Sequence, residues 1–187
     1  MKKSIIGIAV VAVFILLLIG LGSGKKSAVG ESQTAQLQGA ASAAATATPQ
    51  LAPDFTAQKL GGGTISLAQY RGKKPVVLDF WATWCPNCRR DMPAVSQFYP
   101  KYKDRAEIIG VNIQESESIV ADFIKARGIT FPIVVDPAGL VSAKYGVQYT
   151  NFHVLINTDG TVAGVIPGDL SEQALTGLIQ SQPQSHS

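Results

Sequence analysis

Short apolar runs alternate with helix-type patterns over most of the chain, and one of these runs is almost uninterrupted. Residues 75–81 (PVVLDFW) are apolar except for Asp79, which is typical of a buried central strand. A helix is expected to begin near Cys85 and to end near Lys103. Further strands are predicted at 107–113, 131–135, 152–157 and 161–166, and further helices at 116–127, 138–145 and after Ser171. The helix at 116–127 has four apolar positions that predict one buried face: Ile119, Val120, Phe123 and Ile124.

The order of these elements indicates the fold class. Strands alternate with helices first, whereas the last two strands face each other across a turn at 158–160 (TDG). Two very short strands are expected before the main sheet, at Asp54-Phe55 and Thr64-Ile65, followed by a helical turn that Ser66 caps. We therefore predict an α/β fold with a central mixed β-sheet flanked by helices.

The N-terminal part of the chain has a different pattern. Three residues that include Lys2 and Lys3 precede an uncharged stretch, Ser4–Leu21. At about 1.5 Å per residue, a helix of this length nearly crosses a hydrocarbon core of roughly 30 Å. The pattern predicts a single-pass transmembrane anchor at 1–22, with the rest of the chain outside the cytoplasm. A cleaved signal segment is the alternative, and the protein would then be secreted.

The remaining boundaries follow from composition. Residues 23–52 are rich in Ala, Ser, Thr, Gln and Gly, which predicts a flexible linker. The folded domain is predicted at 53–182, and a disordered tail at 183–187. The formal charge of +3 comes from the end near the membrane, because Lys+Arg and Asp+Glu are equal, at 12 each, from Pro53 onward. This balance argues against a nucleic-acid partner.

The chain has only two cysteines, and they lie three positions apart at Cys85 and Cys88. A bridge between them would close almost no loop and would add little stability, so its expected value is chemical. A zinc site would need about four ligands, and the only histidines are His153 and His186. We therefore expect no metal, and no cofactor other than a redox-active disulfide.

The placement of the two cysteines suits thiol–disulfide exchange. Cys85 opens a helix, whose amide groups and dipole favour the reactive thiolate, and its sulfur is expected to be exposed. Pro86 suits the first helical turn because its missing N–H is not needed there. Cys88 lies on the same helical face and would attack a mixed disulfide formed at Cys85. Cys85 is thus the predicted nucleophile, and Cys88 the predicted resolving residue.

Other polar and aromatic residues surround this pair in the sequence. Asp79 is a candidate proton acceptor for Cys88, since a carboxyl group buried in an apolar strand takes up a proton more readily than an exposed one. The alternative for Asp79 is a solvent-facing strand position. For Trp81 and Trp84, two roles are weighed equally: packing in the core, and an aromatic surface that the substrate contacts. The charged residues after Cys88 (Arg89, Arg90 and Asp91) favour a solvated helix face over a role in tuning the thiolate or in docking.

The run Val77–Cys88, which contains FWATWC, together with Pro93 five residues later, resembles the thioredoxin superfamily. It looks most like the TlpA/ResA-like branch of membrane-anchored thiol–disulfide oxidoreductases. The resemblance covers roughly residues 53–182 and implies a thioredoxin fold with an N-terminal β extension and a TlpA-type helical insertion at 116–127. It also implies the proton role of Asp79, and Asp91 falls where many TlpA-like members carry a glutamate.

One position departs from the pattern of that superfamily. Its members carry a cis-proline before the penultimate strand, and Asn151 takes that position here, after Thr150. A cis bond without proline costs about 3–4 kcal/mol, so the Thr150–Asn151 bond is either trans in a reshaped loop or a strained cis bond. The resemblance implies substrate contacts for Thr150 and Asn151, as well as for Trp84 and Pro86.

The resemblance implies an enzyme that reduces disulfides in secreted or envelope proteins. Apocytochrome c, during cytochrome c maturation, is one such substrate, and a membrane thiol carrier would supply the electrons. A disulfide donor with the same residues is the close alternative, and a non-catalytic interaction module is a second one. A peroxidase is a third, because the layout resembles peroxiredoxins, but no cysteine exists outside Cys85 and Cys88.

Overall fold

The computed structural model describes residues 49–183. The predicted anchor at 1–22, most of the predicted linker and residues 184–187 of the predicted tail lie outside the described residues. Among residues 49–183, no helix is both long enough and apolar enough to cross a bilayer. Contacts with the domain begin before Pro53, because the Ala52 N–H donates to the Gly160 carbonyl at 2.9 Å.

Strands and helices follow the predicted order. The strands are β1 (Thr56–Gln58), β2 (Thr64–Ser66), β3 (Val76–Trp81), β4 (Glu107–Ile113), β5 (Ile133–Asp136), β6 (Phe152–Ile156) and β7 (Val162–Pro167). The helices are α1 (Pro86–Tyr102), α2 (Glu117–Arg127), α3 (Leu140–Lys144) and α4 (Glu172–Gln180), with a 3₁₀ helix at Leu67–Tyr70. Ser66 precedes the 3₁₀ helix, and the Ser171 side chain accepts a hydrogen bond from the Ala174 N–H at the start of α4, as the sequence predicts.

The main sheet places β3 in its centre. The strand order is β5-β4-β3-β6-β7, with β3 parallel to β4 and antiparallel to β6. Every residue of β3 is buried, which confirms the prediction of a central strand from its apolar run. Strands β1 and β2 form a separate antiparallel pair. The fold is therefore a mixed α/β sheet, and the end of β3 leads directly to the cysteines.

Successive residues of β3 face two different layers. Val77 and Trp81 pack with α1 and α4, in the cluster that also contains both cysteines. Leu78 and Phe80 pack on the other side, with the β1–β2 pair and α3. Burial of each such side chain stabilises the fold by about 1.5–3 kcal/mol. Both faces of β3 are thus covered, which holds the strand–helix junction after it in place.

Two local predictions are wrong. The first strand begins at Thr56 rather than at Asp54, because the Asp54 carboxylate accepts hydrogen bonds from the Phe55 and Ala68 N–H groups, which hold this segment outside the strand pairing. In α2, Ile119 is 52% exposed although Val120 is fully buried. The buried stripe of this helix runs through Val120 and Phe123, and Ile119 lies about 100° away from Val120 around the axis.

Candidate active site

The junction between β3 and α1 carries the two cysteines. Cys85 is the N-cap residue of α1, Pro86 is its first helical residue, and the two cysteines form a disulfide. The Cys85 sulfur accepts a hydrogen bond from the Cys88 N–H at 3.1 Å. This amide would also stabilise a thiolate at Cys85 once the disulfide is reduced.

Both cysteines are buried in this disulfide form. Cys85 is 4% exposed and Cys88 is 1% exposed. The prediction of an exposed first sulfur is therefore wrong for the oxidised protein, because the first turn of α1 packs both residues into the cluster of Val77 and Trp81. Cys85 remains the more accessible of the two, and Trp84 directly before it is 65% exposed.

Asp79 is buried beneath α1. It is 1% exposed, and it lies on the same face of β3 as Val77 and Trp81, which pack in the same cluster as Cys88. The alternative of a solvent-facing position is therefore wrong. The carboxylate lies on the face of the sheet that α1 and its cysteines cover.

Two further titratable residues meet Asp79. The Nε2 atom of His153 lies 3.3 Å from Asp79 Oδ1 and 3.6 Å from Asp91 Oδ2. His153 is fully buried and Asp91 is 5% exposed. The interpretation of the residues after Cys88 as a solvated helix face is thus wrong for Asp91. Its Oδ2 atom accepts a hydrogen bond from the Leu170 N–H at 3.1 Å.

Burial and neighbouring charges shift the pKa values of Asp91 and His153. Burial raises the pKa of the Asp91 carboxyl to about 6, although the hydrogen bond from Leu170 acts in the opposite direction. Burial by itself lowers the pKa of the His153 imidazole, but the Asp79 carboxylate and then Asp91 outweigh it, so that this pKa is raised. The Asp91 carboxyl and the His153 imidazole therefore both hold a proton more readily than they would in water.

The loop before β6 contains Asn151 at the predicted special position. No peptide bond in residues 49–183 is cis, so the Thr150–Asn151 bond is trans and the loop is reshaped. Asn151 has φ of 60°, a left-handed conformation that asparagine tolerates better than most residues. Its N–H donates to the Phe80 carbonyl at 2.9 Å, a bond that proline cannot make. This bond ties the loop before β6 to the end of β3.

Side-chain hydrogen bonds connect Asn151 to the first turn of α1. The Asn151 side-chain amide donates to Asp169 at 3.1 Å, and Arg90 donates to both oxygens of Asp169 at 3.0 and 2.8 Å. Arg90 also donates to Asn87, between the two cysteines, at 3.2 Å. The loop that replaces the cis-proline loop is therefore tied to the residues between the cysteines.

A surface groove is lined in part by the residue that directly precedes Cys85. Trp84 and Thr150 both line it, together with Tyr149, which is 56% exposed. Two of the four predicted substrate-contacting residues thus share one groove. Pro86 and Asn151 lie at the start of α1 and in the adjoining loop, but they do not line it.

The sequence profile of the AhpC/TSA family matches residues 49–165, more than half of the chain. The chain belongs to the AhpC/TSA family. The match includes the cysteine pair, Asp79, Asp91 and His153, but it ends before Asp169.

Several relatives and solved structures of this kind are similar to the chain. The thiol–disulfide oxidoreductase ResA of Geobacillus thermodenitrificans is 38% identical over 138 residues, which cover 73% of this chain and 79% of the relative. A thioredoxin-family thiol:disulfide interchange protein from Chlorobium tepidum is 29% identical, with a TM-score of 0.64, and the match covers 73% of this chain and 97% of that one. A secreted Mycobacterium tuberculosis disulfide oxidoreductase is 27% identical with a TM-score of 0.60, covering 68% and 95%. This AhpC/TSA-family member thus has a thioredoxin fold and is a thiol–disulfide oxidoreductase.

Glu115 is a site residue of this family member that the sequence analysis missed. Its carboxylate accepts hydrogen bonds from the Thr83 N–H at 2.7 Å, from the Thr83 hydroxyl and from the Asn112 side-chain amide at 2.7 Å. The carboxyl ends of parallel β3 and β4 meet at one edge of the sheet, so the position of Glu115 just after β4 was the available signal. Glu115 holds the loop that leads to Cys85.

The role of His153 was missed for a different reason. His153 was considered only as a zinc ligand, because the register that sets it opposite Asp79 in β6 cannot be read from the sequence. Among residues 49–183, no group of three or more His, Cys, Asp and Glu side chains is arranged to hold a metal ion. Asp79 and Asp91 instead both approach a single nitrogen, Nε2, of the His153 imidazole.

We expect Asp91→Asn to raise the free energy of unfolding of the disulfide form by about 2 kcal/mol at pH 8, with little change at pH 4. A carboxyl group with a raised pKa binds its proton more tightly in the folded chain, so stability is lost as the pH rises from about 4 to about 6. Urea denaturation at both pH values measures this difference. Asp122→Asn, at an exposed position of α2, is the control. Equal changes at the two pH values would contradict the prediction.

Proposed function

We propose that this thiol–disulfide oxidoreductase acts outside the cytoplasm and reduces disulfides in secreted or envelope proteins. The observation that carries the proposal is a Cys85–Cys88 disulfide at the N-terminus of α1, above a buried carboxylate. Apocytochrome c, during cytochrome c maturation, is the substrate suggested by the TlpA/ResA-like resemblance. The redox-active disulfide serves as the only redox group, without a further cofactor.

In the proposed reaction, the Cys85 thiolate attacks one sulfur of a substrate disulfide. That S–S bond breaks, one substrate thiolate leaves, and a mixed disulfide forms at Cys85. The Cys88 thiol then gives its proton to Asp79 and attacks the Cys85 sulfur. The second substrate thiolate leaves, so the substrate is reduced by two electrons and Cys85–Cys88 is oxidised. Electrons from a membrane thiol carrier would restore the dithiol.

Four residues are proposed to contact the substrate protein. Trp84 and Thr150 line the same surface groove, with Trp84 offering an exposed aromatic surface. Pro86 follows the nucleophile directly, and Asn151 is tied to the same turn of α1 through Asp169 and Arg90. These positions favour an extended substrate segment that crosses the start of α1.

The membrane location rests on the uncharged segment Ser4–Leu21. We propose that residues 1–22 anchor the chain, with the folded domain on the extracytoplasmic side. Carbonate extraction of membranes from cells that produce the full chain tests this. The chain is expected to stay in the membrane fraction, and release of a chain that has kept its N-terminus would contradict the anchor.

The direction of the reaction depends on the redox potential of the Cys85–Cys88 couple. We expect a potential more negative than about −200 mV, between those of thioredoxin and the glutaredoxins, because the proposed role is reduction. Equilibration with defined ratios of reduced and oxidised glutathione measures it, with Trp84 and Trp81 fluorescence or alkylation as the readout. A potential near −120 mV would favour the alternative, a disulfide donor with the same residues.

A further inference from the structure

The buried histidine of β6, His153, forms none of the bonds that are made or broken between Cys85, Cys88 and the substrate. His153 pairs directly with Asp79 of β3 in the antiparallel register. Residues that face each other in this way point to the same side of a sheet. That side is the one covered by α1, because Trp81 of β3 packs there with Cys88. His153 is therefore buried in the layer that contains the resolving cysteine.

The contacts of the imidazole connect β3 with α1. A single nitrogen, Nε2, lies 3.3 Å from Asp79 Oδ1 and 3.6 Å from Asp91 Oδ2. Asp91 follows Cys88 by three residues and so lies on the same face of α1. In residues 49–183, Asp79 Oδ2 and both ring nitrogens of His153 are buried without a hydrogen-bond partner of good geometry. Such unpartnered buried atoms cost about 1–3 kcal/mol each, which a functional role would explain.

We propose that His153 is a positioning residue for the redox reaction: it joins Asp79 and Asp91 into one proton-sharing unit that takes up the proton of Cys88. The inference rests on the proposed function of Cys85 and Cys88. Two buried carboxyl groups that lie close together do not ionise at the same time unless a positive charge offsets their repulsion. A protonated imidazole between them supplies that charge and leaves one carboxylate free to accept a proton.

The proton balance of the resolving step fits this arrangement. Cys88 is 1% exposed, so its proton does not pass directly to bulk water. When Cys88 attacks the mixed disulfide, the S–H bond breaks and the Asp79–His153–Asp91 unit gains one proton. The Cys85–Cys88 bond forms, and the bond between Cys85 and the substrate breaks. The unit carries no electrons, and it returns the proton when the disulfide is reduced again.

The charged groups around His153 are few. Asp79 faces it from β3 and Asp91 from α1, and Asp169, in the loop after β7, adds a weaker charge interaction. Arg90 pairs with Asp169 at 2.8 Å, which offsets the charge of that carboxylate at the surface. The raised pKa of His153 and the pKa of about 6 for Asp91 agree with a unit that holds a proton near neutral pH.

The resolving step can be followed separately from the first attack. The reduced full chain is mixed with 5,5′-dithiobis(2-nitrobenzoate), which releases one thionitrobenzoate when Cys85 attacks and a second when Cys88 resolves. We expect the second phase of the wild type to slow below about pH 6, where the unit is already protonated. In His153→Thr this decline should move up by about one pH unit, because the imidazole favours the ionised carboxylate. The second phase should therefore slow about twofold at pH 7 and about tenfold at pH 5, with the first phase little changed.

Leu155→Ala is the matched control, since it loosens β6 two residues away on the same face without removing a charge. Its second phase is expected to keep the wild-type pH profile. A folded His153→Thr with the wild-type profile would overturn the inference and leave the proposed function intact. Absence of a second phase in the wild type would instead reject the resolving role of Cys88, and both proposals with it.

A second measurement does not depend on whether His153→Thr folds. In a full chain that carries His186→Ser, His153 is the one remaining histidine, and its imidazole can be titrated by NMR. Asp91→Asn should lower the pKa of His153 by at least about half a unit, because Asp91 helps to hold the proton on the ring. An unchanged pKa would show that the unit is not shared, and would overturn the inference.

Discussion

Replacing Cys85 with serine is expected to reduce the rate of insulin reduction to that of dithiothreitol alone. A serine hydroxyl at the start of α1 does not ionise near neutral pH and forms no disulfide, so neither the first attack nor the mixed disulfide can occur. Insulin turbidity with the wild type and Cys85→Ser, at equal concentration, measures the difference. Equal background rates for the two proteins would favour the non-catalytic interaction module.

Cys88→Ser is the matched control for this experiment. It keeps the nucleophile but cannot release the product, so a mixed disulfide with the substrate should accumulate after a single turnover. Mass spectrometry of the trapped species would identify the bond at Cys85. A mixed disulfide trapped at Cys88 of the Cys85→Ser variant, with none at Cys85 of the Cys88→Ser variant, would reverse the assigned roles. Peroxide consumption that depends on Cys85 would favour the peroxidase alternative.

Alanine substitution of the two tryptophans is expected to affect different properties: stability for Trp81 and substrate binding for Trp84. Trp81 is fully buried, with its ring 5.1 Å from that of Phe123, so Trp81→Ala should cost about 3–5 kcal/mol of stability. That is a large share of the roughly 5–15 kcal/mol that holds a domain folded. Urea denaturation of the disulfide form measures the loss. A midpoint like that of the wild type would contradict the packing described for the end of β3.

Trp84→Ala is the comparison for Trp81→Ala, because both tryptophans lie in the run FWATWC at residues 80–85. Trp84 is 65% exposed, so its removal should change stability by about 0.5 kcal/mol or less. Under the proposed function it should raise KM for insulin and leave the reaction with a small disulfide reagent unchanged. Unaltered insulin kinetics would remove Trp84 from the proposed substrate groove.

Local sequence patterns were sufficient for the parts of the molecule that depend on neighbouring residues. The apolar run before the cysteines predicted β3 as the central strand, and it favoured a buried Asp79 over a solvent-facing one. The start of α1 at Pro86 followed from helix-capping rules. The strand β4 was predicted with both of its ends. In each case the signal is the periodicity of side chains along one element.

The site around those elements could not be predicted in the same way. His153 meets Asp79 only because β6 pairs with β3 in one particular register, and a shift by one residue would turn it to the other face. Asp91 looked like part of a charged surface, but the rotation of α1 on the sheet buries it against the same histidine. Glu115 reaches Thr83 because two parallel strands end side by side.

The sequence by itself determined where the reactive cysteines lie, at the end of a buried strand and the start of a helix, because both signals are local. Only the tertiary structure decided that Cys85 is buried in the disulfide form and that Asp79, His153 and Asp91 meet. Those outcomes depend on strand register, helix rotation and the packing of distant segments. No pattern within a single element encodes them.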